Sequence, residues 1–317
     1  MSPINLIKFA IRLAVSVALI WWILSQVDRQ SFVAQLEKIS LAAFFVPVIL
    51  ILLFAFIQAV RWKLVQGAIS QSLSFTRTAS ILFLSLFFNQ TLPSTIGGDA
   101  IRVTYGCRAG LTLNAVVKGV LVDRLSALLA LVLMSAFSLP FLFSTIGSQV
   151  FTFLVATMVA GGLLGALALL ALQALPPGPR RLPGLHQAAG LSAALWTVLT
   201  KPWHAATVMF ISLFIHSGLA LIIFYLAWLL EIGVDPVICL TLYPPIFLVS
   251  MVPISIAGWG VREGAMVAVF TLVGMSRADA LAISVLFGTV MVVVGLSGAL
   301  IWFLVERWRG LRSQSGV

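Results

Sequence analysis

Two ten-residue stretches in this chain share a pattern suited to holding an anion. The first reads Pro93-Ser94-Thr95-Ile96-Gly97-Gly98-Asp99-Ala100-Ile101-Arg102, and the second Pro253-Ile254-Ser255-Ile256-Ala257-Gly258-Trp259-Gly260-Val261-Arg262. Both fit P-x-x-I-small-G-x-x-(I/V)-R, with the arginine nine residues after the proline. Proline removes a backbone donor and stops a helix. The glycines permit a tight reversal and close backbone approach. A helix restarting near Asp99 or Val261 presents free N–H groups and the positive end of its dipole to the tip. Arg102 and Arg262 add a planar fork that matches a phosphate. Gly97, Gly98, Gly258 and Gly260 are therefore candidate substrate-binding positions beside the two arginines. Asn89, just before the first tip, is another, able to bond a lipid headgroup or an exposed carbonyl. The bland alternative is that Pro-Gly breaks are common in membrane helices and that a ten-residue likeness is chance.

Four more charges lie close to these tips in sequence: Asp99, Asp123, Arg124 and Glu263. Asp123 and Arg124 sit at the start of an apolar run, where charges usually face a bundle interior or a cavity. They read either as a site wall or gate pairing with Arg102 or Asp99, or as a structural pair near the interface. Asp99 suits a helix N-cap. Glu263 is either a proton-coupling carboxylate or the local counter-charge of Arg262. His216, beside Ser217 in the middle of an apolar run, reads as a satisfied core group rather than a relay.

The elements that must position these residues follow from composition. The 317 residues are 61% hydrophobic and only 9% charged, against about half and about a quarter in ordinary soluble domains. Too few charges exist to cover a soluble fold of this size. This excludes a soluble enzyme, a disordered chain and a disulfide-framed secreted module, and leaves an all-α polytopic membrane protein. The formal charge of +10 comes from basic residues placed mostly between apolar runs, as in cytoplasmic loops. No nucleic-acid partner is expected. Cys107 and Cys239 share no metal-ligand spacing, and neither a metal site, a cofactor nor a catalytic constellation is expected.

Runs long enough to cross a bilayer occur at 9–27, 41–60, 119–143, 150–175, 205–230 and 281–304. The first is too long for a signal h-region and reads as a retained anchor. Trp21, Trp22, Trp302 and Trp308 lie near span ends and read as interfacial anchors. Four basic groups are expected on the cytoplasmic side: Lys8 with Arg12; Arg61, Lys63 and Arg77; Arg180, Arg181 and Lys201; and Arg307, Arg309 and Arg312. Both termini are then cytoplasmic. Segments 78–113 and 236–275 must each return to the side they left, and each reads as a re-entrant helical hairpin, irregular backbone at membrane depth being tolerated only inside protein or along a wet cavity. The alternative has both arms of each hairpin cross fully. The expected organisation is thus about six full spans plus two re-entrant hairpins in an inverted repeat. Residues 1–149 form the first repeat and 150–317 the second, with a cytoplasmic linker at 176–204.

The stretch Asn89-Gln-Thr-Leu-Pro93-Ser-Thr-Ile-Gly97-Gly98-Asp99-Ala-Ile-Arg102, followed by Asp123-Arg124-Leu, resembles the membrane region of the lysylphosphatidylglycerol synthase/flippase-like family. The later Pro253…Gly258-Trp-Gly260-Val-Arg262-Glu263-Gly264 resembles its second signature. The resemblance covers nearly the whole chain. It implies a bacterial inner-membrane protein that moves, or helps move, a phospholipid or polyprenyl-type lipid between leaflets. Bifunctional members carry a soluble aminoacyl-transferase domain after the membrane region. None is found before Val317, so no synthase activity is expected here. A separate lipid-modifying synthase or glycosyltransferase is an expected partner.

The sequence thus supports a lipid transporter in which Arg102 and Arg262 hold the headgroup phosphate from two sides. Asp99, Asp123, Arg124 and Glu263 would shape, gate or couple the path. The competing reading is a membrane enzyme or scaffold acting on a lipid phosphate. The lipid, the energy source and the oligomeric state are left open.

Overall fold

A computed structural model of the chain describes Trp21 and residues 40–91, 96–174, 183–251 and 258–314. Among these residues there are ten α-helices, two short 3-10 turns and no strand. Five helices are long and apolar enough to cross a membrane: Leu41–Ile69, Leu113–Thr145, Gln149–Ala174, Pro202–Leu229 and Arg277–Ile301. They coincide with five of the six runs read from sequence. Apart from Trp21, the 9–27 run, with Arg12 and Trp22, lies outside the described residues, as do Lys8, Arg180 and Arg181.

Helix starts are set by local chemistry. The Ser40 hydroxyl accepts the Ala43 N–H at 3.3 Å and opens α1, Leu41–Ile69. Thr112 does the same for Ala115 at 3.4 Å and opens α4, Leu113–Thr145. Ser148 caps α5, Gln149–Ala171, through the Phe151 N–H. Each side chain satisfies a donor that has no partner within its helix. Proline at the first helical position begins α7, Pro202–Leu229, and α8, Pro236–Ser250, where its missing N–H costs nothing.

Four shorter helices form the two hairpins. The first hairpin pairs α2, Phe75–Thr91, with α3, Ile96–Arg108. The second pairs α8 with α9, Val261–Phe270. At 1.5 Å per residue the longest arm reaches about 26 Å, short of the ~30 Å hydrocarbon core. The prolines of the two sequence signatures, Pro93 and Pro253, fall in 92–95 and 252–257, outside the described residues. The restarts are visible: α9 begins at Val261, as expected, and α3 begins at Ile96, three residues before Asp99.

The packing of the two hairpins is reciprocal. Helix α2 lies against α10, Arg277–Gln314, while α8 lies against α4. Helices α1 and α7 pack on each other. The neighbours α1–α2, α1–α4, α3–α4 and α1–α10 have counterparts in α7–α8, α7–α10, α9–α10 and α4–α7. Exchanging the two halves thus maps these contacts onto one another. The departure is α6, Pro183–Leu199, a 17-residue helix inside the 176–204 segment that reads from sequence only as a Pro/Gly-rich linker. It packs on α1, α4, α5 and α7. Its apolar stretch is shorter than a span and follows Pro176, Pro177, Pro179 and Pro183, which hides it from a search for spans.

Without a hydrophobic drive between helices in lipid, close packing depends on small residues. Gly298 of α10 faces the backbone carbonyl of Phe83 on α2, and Gly295 faces Gln90 and the Leu86 carbonyl. Gly161 on α5 faces open space. Replacing Gly298 by valine forces α2 and α10 apart. It is expected to destabilise the detergent-solubilised protein by about 1–3 kcal/mol, read as a lowered Tm. Gly161→Ala should leave Tm nearly unchanged.

Candidate functional site

The first hairpin and the helix after it converge on one carboxylate. Helix α3 carries Asp99 and Arg102, one turn apart, and α4 carries Asp123 and Arg124. Adjacent residues on a helix point about 100° apart, so Asp123 turns into the bundle while Arg124 faces outward. Asp123 is fully buried, and the Arg124 side chain is 33% exposed. The Asp123 carboxylate accepts from Arg61 Nε on α1 at 2.8 Å and from Arg102 Nη2 at 2.8 Å. Arg61 Nη1 also donates to Ser212 Oγ on α7 at 2.9 Å. The Arg102 guanidinium lies 4.3 Å from the Trp62 ring centre and 3.7 Å from Asp99. Asp99 in turn takes a forked pair from Arg124, whose Nε sits 3.0 Å from both carboxylate oxygens. Three arginines and two aspartates, from three helices, make one continuous network, with Ser212 joining it from a fourth.

The second hairpin solves the same problem with different partners. Arg262 is 6% exposed and forms an ion pair through Nη2 with Glu263. The other Glu263 oxygen accepts the Gly260 N–H at 2.5 Å, closing the first turn of α9. Ser284 Oγ on α10 lies 3.5 Å from Glu263. The Arg262 guanidinium packs 4.9 Å from the Trp259 ring centre. Gly258 and Gly260 both have positive φ, +79° and +85°, which favours glycine at each. Gly288 on α10 makes room: a Cβ there would meet the Arg262 guanidinium and the Trp259 ring. At the first tip the Gly98 N–H donates to Asn89 Oδ1 at 3.0 Å, and a Cβ on Gly98 would strike Asn89 and the Ser85 carbonyl. Gly97 is half-buried in the first turn of α3.

A cavity of about 550 Å³ lies between the two hairpins, within the range of small-molecule sites. Its polar lining is Gln58, Asn89, Gln90, Asp99, Arg124, Ser250 and Arg262, with Gly258 at the edge. The rest is apolar, including Phe54, Leu86, Phe247 and Phe287. Leu121 and Leu128 line it and remain 43% and 37% exposed, so the cavity is open beside α4.

The site residues read from sequence therefore fall into two layers. Asn89, Asp99, Arg124, Gly258 and Arg262 line the cavity. Arg102, Asp123 and Glu263 stand behind it and hold the lining residues. His216 donates to or accepts from the Tyr243 hydroxyl through Nδ1 at 3.1 Å and lies off the cavity. Three contributors are absent from the sequence reading. Gln58 and Gln90 are neutral amides with no spacing signal. Arg61 is read from sequence as part of a cytoplasmic basic group between spans. The structure corrects this, because α1 continues to Ile69 and buries Arg61 to 3% exposure. The apolar positions Trp62, Val65 and Ala68, all buried, are the signal that the helix runs on.

Removing the Asp123 charge would leave Arg61 and Arg102 facing each other, with only the more distant Asp99 beside Arg102. Breaking a buried pair this way costs about 3–5 kcal/mol. Asp123→Asn is expected to lower Tm sharply. Adding Arg61→Gln to it should recover part of the loss, because only one buried cation then remains. A double-mutant cycle by thermal unfolding in detergent measures the coupling.

The described residues hold no group of three or more His, Cys, Asp or Glu side chains able to bind a metal ion. None of the curated proteins compared with the chain matches it. The family model described as lysylphosphatidylglycerol synthase TM region matches residues 9–298, which include both hairpins and the cavity. This multi-pass α-helical membrane protein, with buried arginines at two broken-helix tips, belongs to the lysylphosphatidylglycerol synthase transmembrane-region family.

Proposed function

We propose that the protein moves an anionic lipid between the two leaflets of the bacterial inner membrane. The headgroup phosphate enters the cavity and meets Arg262 from the second hairpin and Arg124 beside the first. The acyl or prenyl tails stay in the bilayer beyond Leu121 and Leu128. The observation that carries this reading is the cavity itself: two arginines on a largely apolar wall, open beside Leu121 and Leu128 of α4. An aqueous substrate would gain little from that wall, whereas a lipid keeps its tails in hydrocarbon throughout.

Each lining arginine is oriented before the lipid arrives. Arg124 is held by both oxygens of Asp99, and Arg262 is held by Glu263 and by the Trp259 face. Pre-orientation lowers the entropic cost of binding. Arg102 acts through others: it shares Asp123 with Arg61 and stands 3.7 Å from Asp99, so it sets the position of the Asp99–Arg124 pair. The reciprocal packing of the two hairpins supports an inverted repeat, in which each half can rock about the fixed cavity.

Charge-assisted hydrogen bonds contribute about 1.5–3 kcal/mol each. Arg262→Ala and Arg124→Ala should therefore slow lipid movement about tenfold or more in a proteoliposome leaflet assay, with Arg262→Lys intermediate. Unchanged movement in both alanine variants would contradict the transporter reading. Recovery of a chemically altered lipid after incubation with the purified protein would favour an enzyme instead.

A further inference from the structure

Two buried polar side chains behind the cavity belong to neither hairpin's ion pairs. His216 on α7 and Tyr243 on α8 share a hydrogen bond, Nδ1 to hydroxyl, of 3.1 Å. His216 is 9% exposed and Tyr243 is fully buried. Polar groups inside a bundle are costly unless paired, and an apolar pair of the same shape can be as stable or more so. The inverted repeat supplies that comparison. The step along the chain that takes Arg102 to Arg262 also takes Phe56 to His216 and Phe83 to Tyr243. Phe56 and Phe83 touch as well, with ring centres 4.8 Å apart, and Phe83 is buried as Tyr243 is. The first half thus fills these positions with two rings and no polar atom. Packing alone does not call for a histidine and a tyrosine in the second.

The pair sits between the two arginines of the cavity. On one side, Ser212 lies one turn before His216 on the same face of α7, and it accepts from Arg61 at 2.9 Å. Arg61 leads through Asp123 and Arg102 to Asp99, which holds Arg124. On the other side, the Tyr243 ring lies 4.1 Å from the ring of Phe247, one turn on along α8. Phe247 meets Phe287 of α10 edge-on at 5.6 Å, and the Arg262 guanidinium stands 5.9 Å from the Phe287 ring centre. Phe247 and Phe287 line the cavity. Helix α8 gains from a tie at this point. Pro244 and Pro245 follow Tyr243 and carry no N–H, so two backbone bonds of the helix are missing there.

We infer that His216 and Tyr243 are positioning residues for Arg262. Their hydrogen bond ties the aromatic floor under Arg262 to the Asp123 network that anchors Arg124, and so holds the two cavity arginines at a fixed spacing. The inference rests on the transporter reading for what those arginines bind.

The test is a leaflet assay on the purified full chain in phosphatidylcholine vesicles that carry a fluorescent phosphatidylglycerol. Tyr243→Phe keeps the ring on Phe247 and removes only the hydroxyl, and the first half already accommodates a phenylalanine at the matching position, Phe83. It should slow lipid movement about threefold to tenfold. His216→Leu should do the same. His216→Asn, whose side-chain amide can stand where Nδ1 does, should retain at least half of the rate. His216→Leu combined with Tyr243→Phe should be no slower than either change alone, because both remove one bond. In an Arg262→Ala background Tyr243→Phe should have no further effect, because the hydroxyl acts through Arg262. An unchanged rate in Tyr243→Phe, or effects of Tyr243→Phe and Arg262→Ala that multiply, would overturn the positioning role and leave the arginine site standing. Lipid movement that ignores both Arg262→Ala and Arg124→Ala would overturn the transporter reading beneath it. Where His216→Leu does not fold, the Tyr243→Phe comparison decides.

Discussion

The Asp123 carboxylate, held between Arg61 and Arg102 with no exposure to solvent, is the interaction on which the arrangement depends. A lone charge at membrane depth is expensive, and two arginines facing each other there would be worse. With Asp123 between them, each cation has a partner, and the desolvation already spent is offset by short, charge-assisted bonds. The consequence is geometric. Arg61 brings in α1, Arg102 brings in α3, Ser212 brings in α7, and Asp123 itself is on α4. Four helices far apart in sequence are thereby fixed around one point. The Asp99–Arg124 pair that forms the cavity wall is anchored to that point through Arg102.

The two hairpins show how one constraint admits two solutions. Each tip presents glycine, then an arginine within the first two turns of the following helix, and each arginine ends buried against a carboxylate and an indole. At the first tip the acid comes from the next span, Asp123, and the indole from α1, Trp62. At the second, both come from within three residues of the arginine, Glu263 and Trp259. The local solution leaves Arg262 on the cavity surface, whereas the long-range one draws Arg102 behind it. The two arginines match in sequence yet sit in different layers of the site.

Much of the frame was legible in the sequence, because lipid leaves few options. Apolar runs near the thickness of a bilayer had to be helices, and five of those read from the sequence lie among the described residues. Scarcity of charge pointed to Asp99, Arg102, Asp123, Arg124, Arg262 and Glu263, and the structure gathers them at the two tips. Pairing of Asp123 and Arg124 with Arg102 or Asp99 was one of the options stated, and both ion pairs, Asp123–Arg102 and Arg124–Asp99, are found. Arg61 escaped because a cation just past an apolar run looks like a loop residue until the partner across the bundle is seen. Helix α6 escaped because prolines precede it and its apolar stretch is short. The carboxamides escaped for a plainer reason: neutral polar side chains in a helix carry no periodic signal, and only three-dimensional convergence brings Gln58, Asn89 and Gln90 to one wall.

The reading of the cavity as a lipid headgroup site meets its most direct test in an experimental structure of the protein in a nanodisc containing phosphatidylglycerol. The expected result is a headgroup phosphate within hydrogen-bond distance of Arg262, about 2.7–3.2 Å, with the tails leaving past Leu121 and Leu128. A phospholipid bound elsewhere, with the space between the hairpins filled by protein or water alone, would contradict it.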